Sequence, residues 1–289
     1  MPIVLDGKAL ADKICADLKN RVDSLRVAGV APKLTIVTSG DDSASKVYVR
    51  NKVRRAEEIG IDVEVVHHDF LGITKAISAY NHCPIIYQMP MHGFIGLGHL
   101  DAIIKNSGHD VDGFVSSVNV STLARGVQPD HSPCTPKGIM RLLAEHEIDP
   151  KGKHVCIIGR SNIVGRPLAR MMEQADATVT LCHSKTPEAR MYELVSGADI
   201  VVCATGKRNL LELDRANIVT CWNMDWSGKV IVDVGINRDD NGKICGDVDP
   251  KIFGFCRAYT PVPGGVGPMT VAMLMENVVE YYEKMLHET

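Results

Sequence analysis

The stretch Val155-Cys156-Ile157-Ile158-Gly159-Arg160-Ser161-Asn162-Ile163-Val164-Gly165-Arg166-Pro167 decides the fold. Its unbroken apolar run reads as a strand buried on both faces, Gly159 as the turn, and the segment from Val164 or Gly165 onward as a helix. Such a turn aims backbone N–H groups and the positive end of a helix at a pyrophosphate. The pattern departs from Gly-x-Gly-x-x-Gly because position 161 is serine. A glycine pair alone is a weak signal that any packed turn would also give; its place between strand and helix points to a dinucleotide.

The next strand, Thr178–Cys182, leads into His183-Ser184-Lys185. There an NAD site would place an acidic residue to bind the ribose hydroxyls. No carboxylate stands at this point. Arg160, Ser184 and Lys185 supply two positive charges and a hydroxyl suited to a 2′-phosphate, so NADP is the expected cofactor, although a lone lysine is ordinarily just a solvated surface charge.

Outward from this turn, short β-branched runs alternate with segments of helical period, the pattern of parallel sheets with crossover helices. Toward the carboxyl end, further strands are expected over 200–204 and 230–234, then a loop over 261–268 and an amphipathic helix over 270–286. Toward the amino end, strands are expected over 33–38, 61–67 and 84–87, with helices over 43–59, 73–81 and 97–106. Gly60 is placed to cap the first of these helices. A longer helix over 7–28 carries Leu10, Ile14, Leu18, Val22 and Leu25 on one face. Pro133 and Pro136 interrupt both periodicities and mark a boundary. The expected fold is therefore α/β with two α/β domains, 1–134 plus 270–289 and 135–269, the second of Rossmann type.

Composition narrows the function. The 289 residues are 45% hydrophobic and carry a net charge of −3, with no positive field to hold a phosphate backbone or an anionic membrane. Neither nucleic acid nor a membrane is an expected partner. No apolar run reaches the roughly 20 residues needed to span a bilayer, and no basic segment leads into an apolar core at the amino end, so a cytoplasmic location is expected. The nine cysteines include no Cys-x-x-Cys and suggest neither disulfides nor zinc; no metal is expected.

Several segments together resemble one family. They are Tyr48-Val49-Arg50-Asn51-Lys52, Gln88-Met89-Pro90, Asp110-Val111-Asp112-Gly113-Phe114, Pro133-Cys134-Thr135-Pro136, the Gly159 turn, Asp233-Val234-Gly235-Ile236-Asn237, and Pro261-Val262-Pro263-Gly264-Gly265-Val266-Gly267-Pro268-Met269-Thr270. In this order, and over nearly the whole chain, they resemble the bifunctional methylenetetrahydrofolate dehydrogenase/cyclohydrolase family. The resemblance implies a folate-binding first domain, an NADP-binding second domain, an active-site cleft between them, and homodimerisation.

Carried over by residue, the resemblance makes Lys52 the catalytic lysine, Tyr48 the aromatic lining the folate site, Gln88 the partner of the lysine and Asp112 the carboxylate holding the pterin. Gly159, Arg160, Ser161, Ser184 and Ile236 correspond to cofactor contacts. Pro263, Gly264 and Gly265 border the aminobenzoyl part of the folate. His109 departs from the family, which usually has lysine there, and Tyr87-Gln88-Met89-Pro90-Met91-His92 replaces a commoner Val-Gln-Leu-Pro-Leu-Pro.

The residue types suit the implied chemistry. Oxidising the methylene bridge of 5,10-methylenetetrahydrofolate gives a resonance-stabilised methenyl cation and needs orientation more than acid-base help. Hydrolysing that cation to 10-formyltetrahydrofolate requires protons to be moved, which a lysine oriented by Gln88 can do. A carboxylate such as Asp112 accepts two parallel hydrogen bonds from an amino-pyrimidinone edge. Cys134 is left out of the catalytic set, because no covalent intermediate is required. The alternatives are a monofunctional dehydrogenase and a non-catalytic folate or nucleotide-binding protein.

Overall fold

A computed structural model of the chain describes residues 1–39, 43–67, 83–89, 109–113, 131–213 and 224–288. The helices expected over 73–81 and 97–106 lie outside the described residues, as do Pro90, Met91, His92 and Phe114. The described chain forms two compact units, one of Met1–Leu10 with Thr135–Thr270 and one of Ala11–Cys134 with Val271–Thr289.

The second of these units is built on a three-stranded parallel sheet. Its strands are β2 (Lys33–Thr38), β3 (Asp62–His67) and β4 (Ile85–Tyr87), in the order β3-β2-β4. Most of β2, Thr35 included, and all of β4 are buried, as strands covered on both faces are. Helix α1 (Gly7–Val27) buries Leu10, Ile14, Leu18, Val22 and Leu25, the face read from their spacing. Helix α2 (Ser43–Ile59) ends at Gly60, whose φ is 90°. The N–H of Gly60 reaches Glu57 O and that of Ile61 reaches Ala56 O, the paired bonds that close a helix on a left-handed residue.

The other unit carries a six-stranded parallel sheet. Five of its strands are β1 (Ile3–Val4), β5 (His154–Ile158), β6 (Thr178–Cys182), β7 (Ile200–Cys203) and β8 (Val230–Asp233). The sixth is β11 (Ala258–Tyr259), and the order is β1-β11-β8-β7-β5-β6. A two-stranded ribbon, β9 (Asn237–Arg238) with β10 (Ile244–Cys245), stands apart. One face of the sheet contributes Cys156, Ile158, Val201, Cys203 and Ile231 to a core completed by Met191, Tyr192 and Val195. These last three lie on α5 (Glu188–Ser196). On β5 and β6 packs α4 (Gly165–Gln174), burying Leu168 and Met172. Burial on both faces explains why β7 and β8 read as Ile-Val-Val-Cys and Val-Ile-Val-Asp instead of alternating.

Residues 1–10 correct the expected division of the chain. They were assigned to the first domain, but Ile3 and Val4 pair in parallel with Ala258 and Tyr259 of β11. Two residues carry no readable period, and only the partner strand reveals them. The helix expected over 270–286 begins earlier, at Val266. Both α3 (Cys134–Glu145) and α6 (Val266–Glu288) contain a proline in their first turn, Pro136 and Pro268. A proline there costs no hydrogen bond, because first-turn N–H groups have no intrahelical acceptor. Among the described residues no helix is long and apolar enough to cross a membrane, and no group of three His, Cys, Asp or Glu could hold a metal ion.

Candidate functional site

In the three-stranded unit, α2 and the carboxyl end of β4 bring chemical groups together. Tyr48 is exposed and Lys52, one helical turn later, is buried. Lys52 Nζ lies 3.2 Å from Asp112 Oδ2 in an ion pair whose side chains are only 11% and 21% exposed. Asp112 is held in place by its backbone: its N–H donates to Asp110 Oδ1 at 3.2 Å, and its carbonyl accepts from Cys134 N–H at 3.3 Å. Beside it, Val111 N–H donates to Ile85 O, and Asn277 Nδ2 on α6 donates to Val111 O at 2.8 Å and to Ser132 O at 3.0 Å.

Gln88 follows β4 directly, its N–H bonded to Val37 O. It is buried, its Nε2 donates to Met89 O at 2.9 Å, and its Oε1 has no hydrogen-bond partner. The expected Gln88–Lys52 partnership is therefore not formed here; Asp112 takes the lysine. An unbonded buried acceptor costs roughly 1–3 kcal/mol, and Gln88 Oε1 stands ready to receive a donor from a bound molecule. Cys134 is buried with its thiol directed at Val111 O and receiving Asn277 Nδ2, the setting of a packed thiol. His109 stacks edge-on against Tyr281 at 4.8 Å.

In the six-stranded unit the turn after β5 is shaped by backbone crowding. Gly159 has φ 123°, and a Cβ there would collide with the carbonyl of Ala204; a Cβ on Gly165 would collide with the carbonyl of Gly159. Only glycine fits either position. Ser161 Oγ accepts from Val164 N–H at 3.1 Å and from Gly165 N–H at 3.4 Å. The serine that breaks the glycine pattern thus binds N–H groups at the start of α4. Arg160, Ser161, Ser184 and Lys185 are all exposed. A glycine-lined cradle, a helix start and exposed cations at the ends of β5 and β6 fit a dinucleotide that carries a 2′-phosphate.

Ile236, 49% exposed, follows β8. Gly264, with φ 113°, accepts Lys8 N–H at 2.8 Å, and Gly265 leaves no room for a Cβ against Pro261 O. Pro263 is exposed.

Composition and spacing gave no sign of a buried carboxylate network in this unit. Asp233 and Asp247 are each 0% exposed. Asp233 accepts N–H bonds from Gly235, Asp247 and Val248, and burial, outweighing these, pushes its carboxyl up to about 6. The available signal was an Asp within two residues of a Gly in both Asp233-Val234-Gly235 and Gly246-Asp247, a pattern that also serves ordinary turns.

The profile of the tetrahydrofolate dehydrogenase/cyclohydrolase NAD(P)-binding domain matches residues 133–286, and that of the catalytic domain matches residues 5–106. The chain belongs to the tetrahydrofolate dehydrogenase/cyclohydrolase family. Among curated relatives, the bifunctional protein FolD of Methylibium petroleiphilum is 41% identical over 98% of both chains. That of Latilactobacillus sakei is 42% identical over 96% of both. The crystal structure of the bifunctional enzyme FolD, methylenetetrahydrofolate dehydrogenase/cyclohydrolase, from Campylobacter jejuni matches with a TM-score of 0.90 at 40% identity. It covers 99% of this chain and 100% of that one. The Trypanosoma brucei methylenetetrahydrofolate dehydrogenase-cyclohydrolase, solved with NADP cofactor and inhibitor, gives a TM-score of 0.87 at 31% identity, covering 98% of each chain.

Proposed function

We propose that this member of the family oxidises 5,10-methylenetetrahydrofolate with NADP and hydrolyses the resulting 5,10-methenyltetrahydrofolate to 10-formyltetrahydrofolate. The observation that carries this is the part-buried Lys52–Asp112 pair at 3.2 Å, with the unpartnered Gln88 Oε1 in the same unit. NADP supplies the hydride acceptor. Gly159 and Gly165 let the backbone approach its pyrophosphate, Ser161 orders the helix start, Arg160 and Lys185 neutralise the 2′-phosphate, and the Ser184 hydroxyl donates a hydrogen bond to it. Ile236 offers an apolar contact at the end of β8.

The folate is held by this chain's own groups. Asp112 grips the amino-pyrimidinone edge of the pterin, Tyr48 lies along the ring, and Pro263, Gly264 and Gly265 border the aminobenzoyl part. A bidentate grip uses one acceptor site on each oxygen of Asp112, so Oδ2 can hold the pterin edge and Lys52 together. The Lys52 nitrogen is the group that moves protons between attacking water and the folate ring nitrogen, with Gln88 Oε1 orienting it. Hydride departure needs no such proton transfer. The working form is proposed to be a cytoplasmic homodimer, supported by family membership and testable by light scattering.

A coupled assay tests the function. NADPH and methenyltetrahydrofolate are followed in one cuvette as methylenetetrahydrofolate is consumed. The expected result is NADPH formation with methenyltetrahydrofolate held low by its hydrolysis. Persistent methenyltetrahydrofolate would mark a monofunctional dehydrogenase, and absence of NADPH a non-catalytic binding protein.

A further inference from the structure

We propose that Asp247 is a positioning residue for the dehydrogenase reaction, its buried carboxylate holding two loops in the shape that receives the nicotinamide half of NADP. This rests on the function proposed above and adds a residue to it. Asp247 Oδ2 accepts from Thr205 N–H at 2.7 Å, from the Thr205 hydroxyl at 2.8 Å and from Gly206 N–H at 3.1 Å. Its Oδ1 accepts from Asn237 Nδ2 at 2.9 Å. One carboxylate thus ties the loop after β7 to Asn237, the first residue of β9, where the loop after β8 ends.

The place of these loops gives the tie its meaning. Open parallel sheets bind ligands outside the carboxyl ends of their strands. The strand order β8-β7-β5-β6 sets the Gly159 turn after β5 and Ser184 and Lys185 after β6. A dinucleotide with its 2′-phosphate at the end of β6 and its pyrophosphate at the end of β5 extends its nicotinamide toward β7 and β8. Those are the strands whose loops Asp247 holds, and Ile236 sits between Gly235 and Asn237 in the second loop.

The geometry demands a carboxylate. All four bonds to Asp247 come from donors, so the group must be acceptor-only. An asparagine would turn its amide NH₂ against either the Thr205 and Gly206 donors or the Asn237 amide. Contact is also close enough that a Cβ on Gly235 would collide with Asp247 Oδ1. Asp233 fixes the other side, accepting Asp247 N–H at 2.9 Å while its own N–H donates to Thr260 Oγ1 at 2.8 Å. With both oxygens of a fully buried side chain occupied by donors from two segments, the arrangement specifies a single conformation of those segments.

Asp247→Asn tests the proposal in the full-length protein, with folding checked by circular dichroism. Titration calorimetry is expected to show NADP binding weakened at least tenfold. The KM for NAD should rise by the same factor, leaving the NADP-to-NAD preference within twofold of the parent, whereas Arg160→Ala should erode that preference. Hydrolysis of methenyltetrahydrofolate supplied directly, without NADP, should stay within twofold of the parent. NADP affinity within twofold of the parent in the folded variant overturns the proposal. So does an equal fall in both activities, which would mark Asp247 as a general support of the fold. If Asp247→Asn does not fold, Thr205→Val, which removes the hydroxyl that donates to Asp247 and accepts Lys207 N–H at 3.2 Å, is expected to weaken NADP about threefold with hydrolysis preserved; unchanged affinity there also overturns the proposal. Should the parent protein itself neither bind NADP nor form NADPH, the proposed function fails instead, before any variant is compared.

Discussion

At the scale of single residues, the Lys52–Asp112 pair separates the two chemistries. Hydride leaves the methylene carbon without a base, whereas water attack and ring opening need proton transfer, typically a contribution of about 10² to 10⁴ in rate. Lys52→Met keeps the stem and deletes the amine. It is expected to lower hydrolysis of methenyltetrahydrofolate by that order while leaving measurable NADPH formation, with methenyltetrahydrofolate accumulating. Hydrolysis at the parent rate would move the proton shuttle elsewhere. Loss of Asp112 acts differently, because both reactions need bound folate: Asp112→Ala should weaken both by about 2–4 kcal/mol, as for a charge-assisted contact. Titration calorimetry should find NADP affinity unchanged. Tyr48 and Lys52 stand four apart in the helix expected over 43–59 and so on one face of it, but the partner of the lysine was not legible. Lys52 and Asp112 are 60 positions apart, and no local period relates them.

Among the elements, the strand, turn and helix around Gly159 were readable because every part of the signal is local: a buried run, a positive φ and a helix start. The role of Ser161 was not, since a hydroxyl gives no hint in the sequence of which N–H groups it will face. The turn can be tested through its tightest point. Gly165→Ala places a methyl group against the carbonyl of Gly159, and overpacking of this kind costs about 1–3 kcal/mol. Urea unfolding should show a loss of that size, and calorimetry should show NADP binding lost or severely weakened. Normal NADP binding by this variant would mean that the turn does not carry the pyrophosphate.

On the scale of the whole molecule, Asp233 links stability to pH. Its carboxyl is raised from 3.8 to about 6 by burial, so the native protein takes up a proton before the unfolded chain does as pH falls. The sign follows: the contribution to stability is fully present below about pH 4 and is lost as pH rises through about 6, up to about 3 kcal/mol for a shift of this size. Urea unfolding of the parent and of Asp233→Asn between pH 4 and 7 isolates it. The difference between the two should move in favour of the parent at the acid end. A difference flat across this range would show that Asp233 titrates as an ordinary carboxylate.

By itself, the sequence determined the parallel α/β architecture, the dinucleotide turn, the glycine cap at Gly60 and the apolar face of α1. Each is written in consecutive residues as burial or backbone freedom. Its motifs also carried the family resemblance. Tertiary structure alone decided that residues 1–10 join the unit of the six-stranded sheet, that Lys52 meets Asp112 while Gln88 Oε1 stays unbonded, and that Asp233 and Asp247 tie segments distant in sequence together. The physical reason is common to these cases. A strand of two residues, an ion pair across 60 positions and a carboxylate shared between loops acquire their partners only when distant elements dock, and docking leaves no period along the chain.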